Sequence, residues 1–249
     1  MPVLGVIPAR LGSSRLPRKP LLPLAGEPLI LWVVRRVVDA AVCDRLVVAT
    51  DAREIAAVVE RAGYEAVLTS PDHESGTARV AEVVDNKSFS EFDIILNVQG
   101  DEPLVAFAAL TGAVARVRGG DPIGTAAGDL DRALAGEPNR VKVVVDRRGR
   151  AAYFSRAPIP FDRDGLGDAV YHQHVGVYAY TRDALARWMR LDPVPEERWE
   201  RLEQLRPLLS GMAIGVALFP GPAAPGVDTA EDLRLAEAQI TRQLREVSR

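Results

Sequence analysis

Short apolar runs at residues 3–7, 46–49, 66–69 and 94–98 alternate with stretches of helical amphipathic spacing, and this alternation constrains the chain more than any other feature. Apolar runs of this length, without polar alternation, suit strands covered on both faces, and the helices between them supply the covers. The reading is α/β: a mostly parallel sheet flanked by helices, joined by right-handed crossovers. Pro8 is expected to stop the first strand. Pro28 opens a helical run from 29 to about 42, and Thr50-Asp51 caps a second helix whose apolar face is Ile55, Val58 and Val59 and whose terminator is Gly63. Ser75-Gly76-Thr77 precedes a third helix to about Asn86.

The second half reads differently. Residues 141–146 and 151–154 flank Arg147-Arg148-Gly149-Arg150 as a hairpin, and a Pro-broken loop follows at 157–161. Residues 174–180 have strand composition, 182–191 and 195–209 read as helices, 214–219 as a strand, and 229–245 as a closing amphipathic helix. The chain is read as one domain over 1–249, with about 139–195 as a lid or dimer arm.

With 249 residues the chain can bury a substantial core without metal or disulfide staples. Its single cysteine, Cys43, lies in an apolar run and reads as a small core residue rather than a nucleophile. No apolar run approaches bilayer-spanning length, and Met-Pro-Val-Leu-Gly has no charged leader region, so a soluble cytoplasmic protein is expected. A formal net charge of −3 provides no general field for nucleic acid; any polyanion site must be local.

Such a site is expected directly after the first strand, in Ala9-Arg10-Leu11-Gly12-Ser13-Ser14-Arg15-Leu16-Pro17-Arg18-Lys19-Pro20. In open α/β sheets ligands sit beyond the carboxyl ends of strands. Gly12, Ser13 and Ser14 leave room for a ligand, and Arg10, Arg15 and Lys19 can reach successive phosphates of a triphosphate. A solvated basic loop is the plainer alternative, and the spacing is no Walker A. Asn97-Val98-Gln99-Gly100-Asp101-Glu102-Pro103 should bring Asp101 to the same sheet edge to hold a cation, although Gly-Asp-Glu-Pro is also turn chemistry. Asp228, in Gly226-Val227-Asp228-Thr229-Ala230-Glu231, is a candidate second carboxylate; equally, Asp228 and Glu231 form a capping box. Ser75, Gly76 and Thr77 open a helix whose free N–H groups can meet a base edge or an anion, or simply be capped. His73, His172 and His174 leave a three-histidine zinc site as a remote alternative, and Glu200, Glu203 and Gln204 recur at helical spacing as a polar face.

In order along the chain, Ile7-Pro8-Ala9-Arg10, Arg15-Leu16-Pro17 with Lys19-Pro20, Ser75-Gly76-Thr77 with Arg79, and Asn97 to Pro103 resemble the CMP-KDO synthetases, the 3-deoxy-manno-octulosonate cytidylyltransferases. Tyr153-Phe154-Ser155-Arg156, His174-Val175-Gly176-Val177-Tyr178, Leu202-Glu203-Gln204-Leu205-Arg206 and Gly226-Val227-Asp228-Thr229 extend the resemblance over nearly the whole length. Arg18 stands where the family usually has glycine. The resemblance implies a Rossmann-like nucleotidyltransferase that joins CTP to KDO, giving CMP-KDO and pyrophosphate for lipopolysaccharide assembly, with Mg²⁺ as cofactor. It implies Arg10, Arg15, Lys19, Asp101 and Asp228 as catalytic, with Asp101 and Asp228 holding the metal. Pro8, Ala9, Arg10, Arg15, Lys19, Ser75, Gly76, Thr77, Arg79, Gln99 and Asp101 would bind nucleotide. Gln99, Arg156, His174, Tyr178, Glu203 and Gln204 would bind sugar. The family is homodimeric, and neither nucleic acid nor membrane insertion is implied. A CMP-sialate synthetase is the sister alternative, and a non-catalytic CTP-binding sensor the alternative of another class.

Overall fold

The structure, a computed structural model, describes residues 1–12 and 16–247. The chain folds as two compact units: Pro2–Phe107 with Ala224–Arg249, and Met1 with Ala108–Ala223. The expected α/β architecture, a mostly parallel sheet flanked by helices, is present.

The first unit runs β1 (Val3–Ala9), β2 (Pro23–Leu24), β3 (Glu27–Pro28), α1 (Leu29–Asp39), β4 (Arg45–Thr50), α2 (Arg53–Arg61), β5 (Glu65–Leu68), α3 (Gly76–Asp85) and β6 (Ile94–Val98). Its main strands lie in the order β6-β1-β4-β5, all parallel, while β2 and β3 form a small antiparallel pair. Every residue of β1 and β6 is buried, in keeping with their almost wholly apolar composition, Asn97 being the one polar residue. From β1 the chain steps outward to β4 and β5, then returns to lay β6 on the other side of β1. The reversal lies between β1 and β6, so the loops leaving these strands diverge and open a crevice at their carboxyl ends.

Three boundaries differ from the sequence reading. Pro8 does not stop the first strand but pairs in register with Ala49. The ladder to β6 extends only from Val3 to Val6, so Pro8 lies where β1 has a partner on the β4 side alone, as an edge position has. Thr50-Asp51 does not cap α2: Ala52 is the N-cap residue, and Thr50 ends β4, its Oγ1 accepting a bond from the Ala52 N–H at 3.1 Å. The Asp51 carboxylate is taken by Arg79 at 3.0 Å. Helix α1 ends at Asp39 because Ala41 adopts a left-handed conformation, φ 49°. Cys43 packs toward β1, and burial beside Asp44 pushes its thiol up to about 12, so it is inert as a nucleophile, as read.

The second unit contains α4 (Phe107–Arg118, from Ala108 onward), β7 (Ile123–Leu130), β8 (Lys142–Val145), β9 (Ala151–Ser155), β10 (Tyr171–Thr181), α5 (Arg182–Trp188), α6 (Pro195–Glu200), α7 (Leu205–Leu209) and β11 (Ile214–Pro222). Strand β7 pairs parallel with β11 and antiparallel with β10, and β8 joins β10 to β9. The expected hairpin is β8–β9, closed by Asp146 N–H to the Arg150 carbonyl at 2.7 Å. The single helix expected over 195–209 is broken: Arg201 is left-handed, φ 51°, and helix resumes at Leu205. The Arg156 guanidinium occupies the carbonyls of Glu200 and Arg201, at 2.6 and 3.3 Å, and Pro207 has no N–H with which to continue a ladder. Glu200, Glu203 and Gln204 therefore do not share one helical face. The chain then returns to the first unit as α8 (Ala230–Val247).

Candidate active site

At the β1–β6 reversal, β6 gives way to Gln99-Gly100-Asp101. A side chain at Gly100 would place its Cβ 2.8 Å from the Pro8 carbonyl oxygen, so only glycine lets this loop lie against the end of β1. Asp101 emerges beside Lys19, Oδ2 to Nζ at 2.6 Å. Lys19 opens a 3-10 turn, Lys19–Leu21, entered through Arg18 at φ 59°, ψ 27°. That left-handed conformation is one glycine adopts without cost, and the Arg18 side chain pairs with Glu54.

Asp228 reaches the same ammonium, Oδ1 to Nζ at 3.0 Å. The loop before α8 is stitched to the Asp101 loop by the Val227 N–H, which donates to the Asp101 carbonyl at 2.8 Å. The capping box expected from Asp228 and Glu231 is instead formed by Thr229 and Asp232. Asp232 Oδ2 accepts from the Thr229 N–H at 2.8 Å and the Asp228 N–H at 3.1 Å, and Thr229 Oγ1 accepts from the Asp232 N–H at 3.2 Å. Glu231 pairs with Arg234 on the surface. Because capping falls to the next residue along, the Asp228 carboxylate is released for Lys19.

Burial would lower the Lys19 pKa, but the two carboxylates outweigh it and hold the ammonium above its ordinary value. Two aspartates from separate loops thus converge on one cationic centre. An ammonium is a stand-in of the right charge sign, and a carboxylate pair with room for phosphate oxygens is the donor set a hard divalent cation takes. Among the described residues no three His, Cys, Asp or Glu side chains cluster to hold a metal ion, which removes the three-histidine alternative. His73 is paired with Glu82 in the first unit, whereas His172 and His174 belong to the second.

The start of α3 meets the same crevice. A Cβ on Gly76 would lie 3.2 Å from Pro8 Cγ and 3.3 Å from Gln99 Oε1, so Pro8, Gly76 and Gln99 are neighbours. Ser75 is the N-cap, its Oγ accepting from the Ala78 N–H at 3.1 Å, and Thr77 is buried. Arg79 is only 2% exposed and serves as a brace: it bonds Thr69 Oγ1, the Ser70 carbonyl at 3.2 Å and Asp51, locking the ends of β4 and β5. Its guanidinium is spent inside the unit rather than offered to a ligand. Ala9 ends β1, buried, and Arg10 is exposed without a partner among the described residues. Arg15 lies outside the described residues. Arg36, unremarked in the sequence, steadies the exit of the Asp101 loop by donating to the Val105 carbonyl at 2.7 Å and lying over Phe107 at 3.9 Å.

In the second unit Arg156 donates to the carbonyls of Glu200, Arg201 and Pro138, while its own N–H donates to Glu200 Oε2 at 2.8 Å. Glu200 also accepts from Ser155 Oγ at 2.5 Å. Lys142, wholly buried and missed in the sequence because it sits in an apolar strand, donates to the carbonyls of Arg156 and Glu137 at 2.5 and 3.1 Å. His174 and Tyr178 flank a register shift in β10, and their rings lie 5.4 Å apart. Thr125 Oγ1 donates to the Val177 carbonyl at 2.7 Å, so its lone pair receives the His174 Nε2–H at 3.0 Å. Burial pushes His174 down to about 3, so the side chain expected to bind sugar is a neutral imidazole. Gln204 is buried and Glu203 exposed.

The family profile described as cytidylyltransferase matches residues 4–214, and the chain belongs to that family of nucleotidyltransferase enzymes. More narrowly, its relatives are 3-deoxy-manno-octulosonate cytidylyltransferases. The one from Gemmatimonas aurantiaca is 53% identical over 94% of this chain and 92% of its own length, and the one from Sodalis glossinidius is 43% identical over 96% and 100%. A solved structure of CMP:2-keto-3-deoxy-manno-octonic acid synthetase complexed with CTP is 40% identical, covers 98% of this chain and 100% of its own, and superposes with a TM-score of 0.90. Cytidylyltransferases that use CTP generally work with a divalent metal ion.

Proposed function

We propose that the chain transfers the cytidylyl group of CTP to KDO, releasing pyrophosphate and giving CMP-KDO for lipopolysaccharide biosynthesis. The observation that carries this reading is the convergence of Asp101 and Asp228 on Lys19 at the β1–β6 reversal, in a chain belonging to the cytidylyltransferases. The KDO anomeric hydroxyl attacks the α-phosphorus in line, and the bond to pyrophosphate breaks. Such transfers depend on positioning and charge neutralisation more than on covalent help. Magnesium held by Asp101 and Asp228 would neutralise phosphate oxygens and sharpen the sugar hydroxyl as a nucleophile. Lys19, drawn from the carboxylates to the triphosphate, supplies a point charge to the departing pyrophosphate, with Arg10 and Arg15 beside it in sequence. Pro8, Ala9, Ser75, Gly76, Thr77 and Gln99 form the nucleotide-binding edge, with Arg79 positioning it from below.

For the sugar we propose the residues that the family resemblance implies, Gln99, Arg156, His174, Tyr178, Glu203 and Gln204, with His174 as a neutral hydrogen-bonding group. The remaining elements of the proposal are one catalytic domain over 1–249 in the cytoplasm, a lid or dimer arm at about 139–195, and a homodimer.

The test is pyrophosphate release from CTP and Mg²⁺ with KDO, with sialic acid, or with no sugar. Release with KDO alone, abolished in a folded Asp101→Ala variant, is the expected result. Preference for sialic acid would transfer the chain to the sister activity, and no release would favour a CTP sensor.

A further inference from the structure

A cavity of about 330 Å³ in the second unit lies between the end of α4 and the 146–150 turn of the β8–β9 hairpin. Three of its lining residues are arginines, Arg116, Arg148 and Arg150, and its one acid is Asp121. Asp121 is 6% exposed and fixes two of them: Oδ2 takes Arg116 at 2.6 Å, and Oδ1 takes Arg150 Nε at 2.7 Å. The Asp121 N–H donates to the Arg116 carbonyl at 3.1 Å, so the carboxylate is itself held. Among the lining residues one carboxylate therefore faces three guanidinium groups, and the only other acid acting on them, Asp146, is a fully exposed turn residue whose Oδ1 is already taken by the Arg148 and Arg150 backbone N–H groups.

Structure alone does not use all of these guanidinium donors. Arg150 engages Asp121 through Nε, which leaves both of its terminal nitrogens without a partner among the described residues. The Arg148 side chain is exposed and makes no hydrogen bond among them, its charge facing only the exposed Asp146. Arg116 donates a terminal N–H to the Arg148 carbonyl at 3.1 Å, but its Nε is buried with no acceptor. The nearby helix end offers no competing acceptors, because the carbonyls of Ala115, Arg116 and Val117 already receive the N–H groups of Gly119, Asp121 and Gly120. Fixed forks of N–H donors at a concave surface match phosphate geometry, and the volume is at the low end for small-ligand sites.

We infer that this cavity is a second anion site, which binds a compact phosphate-bearing ligand of the diphosphate type, separately from the residues assigned to CTP. The test uses inorganic pyrophosphate, without metal, titrated into the full-length Lys19→Ala chain to blunt the first-unit site. Arg148→Ala, an exposed change that leaves the Asp121 pairs intact, is then added. The inference expects binding that weakens at least tenfold on adding Arg148→Ala, together with pyrophosphate-induced shifts at the backbone amides of Gly119 and Gly149. An affinity indifferent to Arg148→Ala, no binding to the Lys19→Ala chain, or shifts that spare both glycines would each overturn it. Inorganic phosphate in a parallel titration identifies the chemistry: a diphosphate site binds it at least tenfold more weakly, and equal affinity overturns the diphosphate assignment.

Discussion

Arg18 illustrates how a single residue can sit against its own backbone preference. At φ 59° it occupies the left-handed region, which costs a side-chain-bearing residue about 1–2 kcal/mol, and it does so to turn the chain so that Lys19 reaches Asp101 and Asp228. Its exposed pairing with Glu54 returns little of that cost. Arg18→Gly removes the strain but loosens the unfolded chain, so its stability should match or exceed the parent by up to about 1 kcal/mol. Arg18→Ile, β-branched in the same conformation, should lose about 1–2 kcal/mol. Urea unfolding of both variants checks the difference. His174 makes a second residue-scale claim. Its folded pKa near 3 lies below the ordinary value of 6.5, so between those pH values the unfolded chain binds a proton that the folded chain refuses. Stability from this group is complete above about pH 6.5 and falls as pH drops. From pH 6.5 to 5 the loss should approach about 2 kcal/mol, and His174→Gln should remove that slope in urea midpoints measured across the range.

Among the elements, α8 shows why a motif and its role can be separated by one position. Asp228-x-x-Glu231 and Thr229-x-x-Asp232 both fit the pattern of a capping box, and spacing alone cannot choose between them. The fold chooses by a tie outside the helix, the Val227 N–H on the Asp101 carbonyl, which points Asp228 at Lys19 and leaves Thr229 to cap. Thr229→Ala should therefore cost about 1 kcal/mol in urea unfolding, whereas Asp228→Asn should leave stability nearly unchanged while lowering pyrophosphate release. Equal destabilisation by both would return the cap to Asp228. The same locality explains what was legible before the fold. Runs such as 94–98 and the Gly63 terminator depend on neighbours in sequence and were read correctly. The break at Arg201, the brace by Arg79 and the buried Lys142 involve partners up to 45, 28 and 14 residues away, which no local pattern encodes.

For the molecule as a whole, the strand order makes the active-site edge almost inevitable: once β6 returns beside β1, the Lys19 and Asp101 loops must leave the sheet at the same reversal. The motifs after those strands were therefore readable as one candidate site, whereas the residues proposed for the sugar, on a bulged strand and around a broken helix, were readable only through family resemblance. The proposed dimer makes a further demand on the arm at 139–195. Phe161, Leu166 and Val170 in it are 81%, 75% and 65% exposed, and three apolar side chains so close in sequence are costly to leave in water. Burying two of them against a second copy would contribute about 3–6 kcal/mol, or two to four decades in Kd. Sedimentation of the parent at micromolar concentration should report two chains, and Phe161→Ser with Leu166→Ser should report one, with the circular dichroism spectrum retained. A parent that sediments as a single chain removes the dimer, and a variant that stays paired places the interface elsewhere than on the arm.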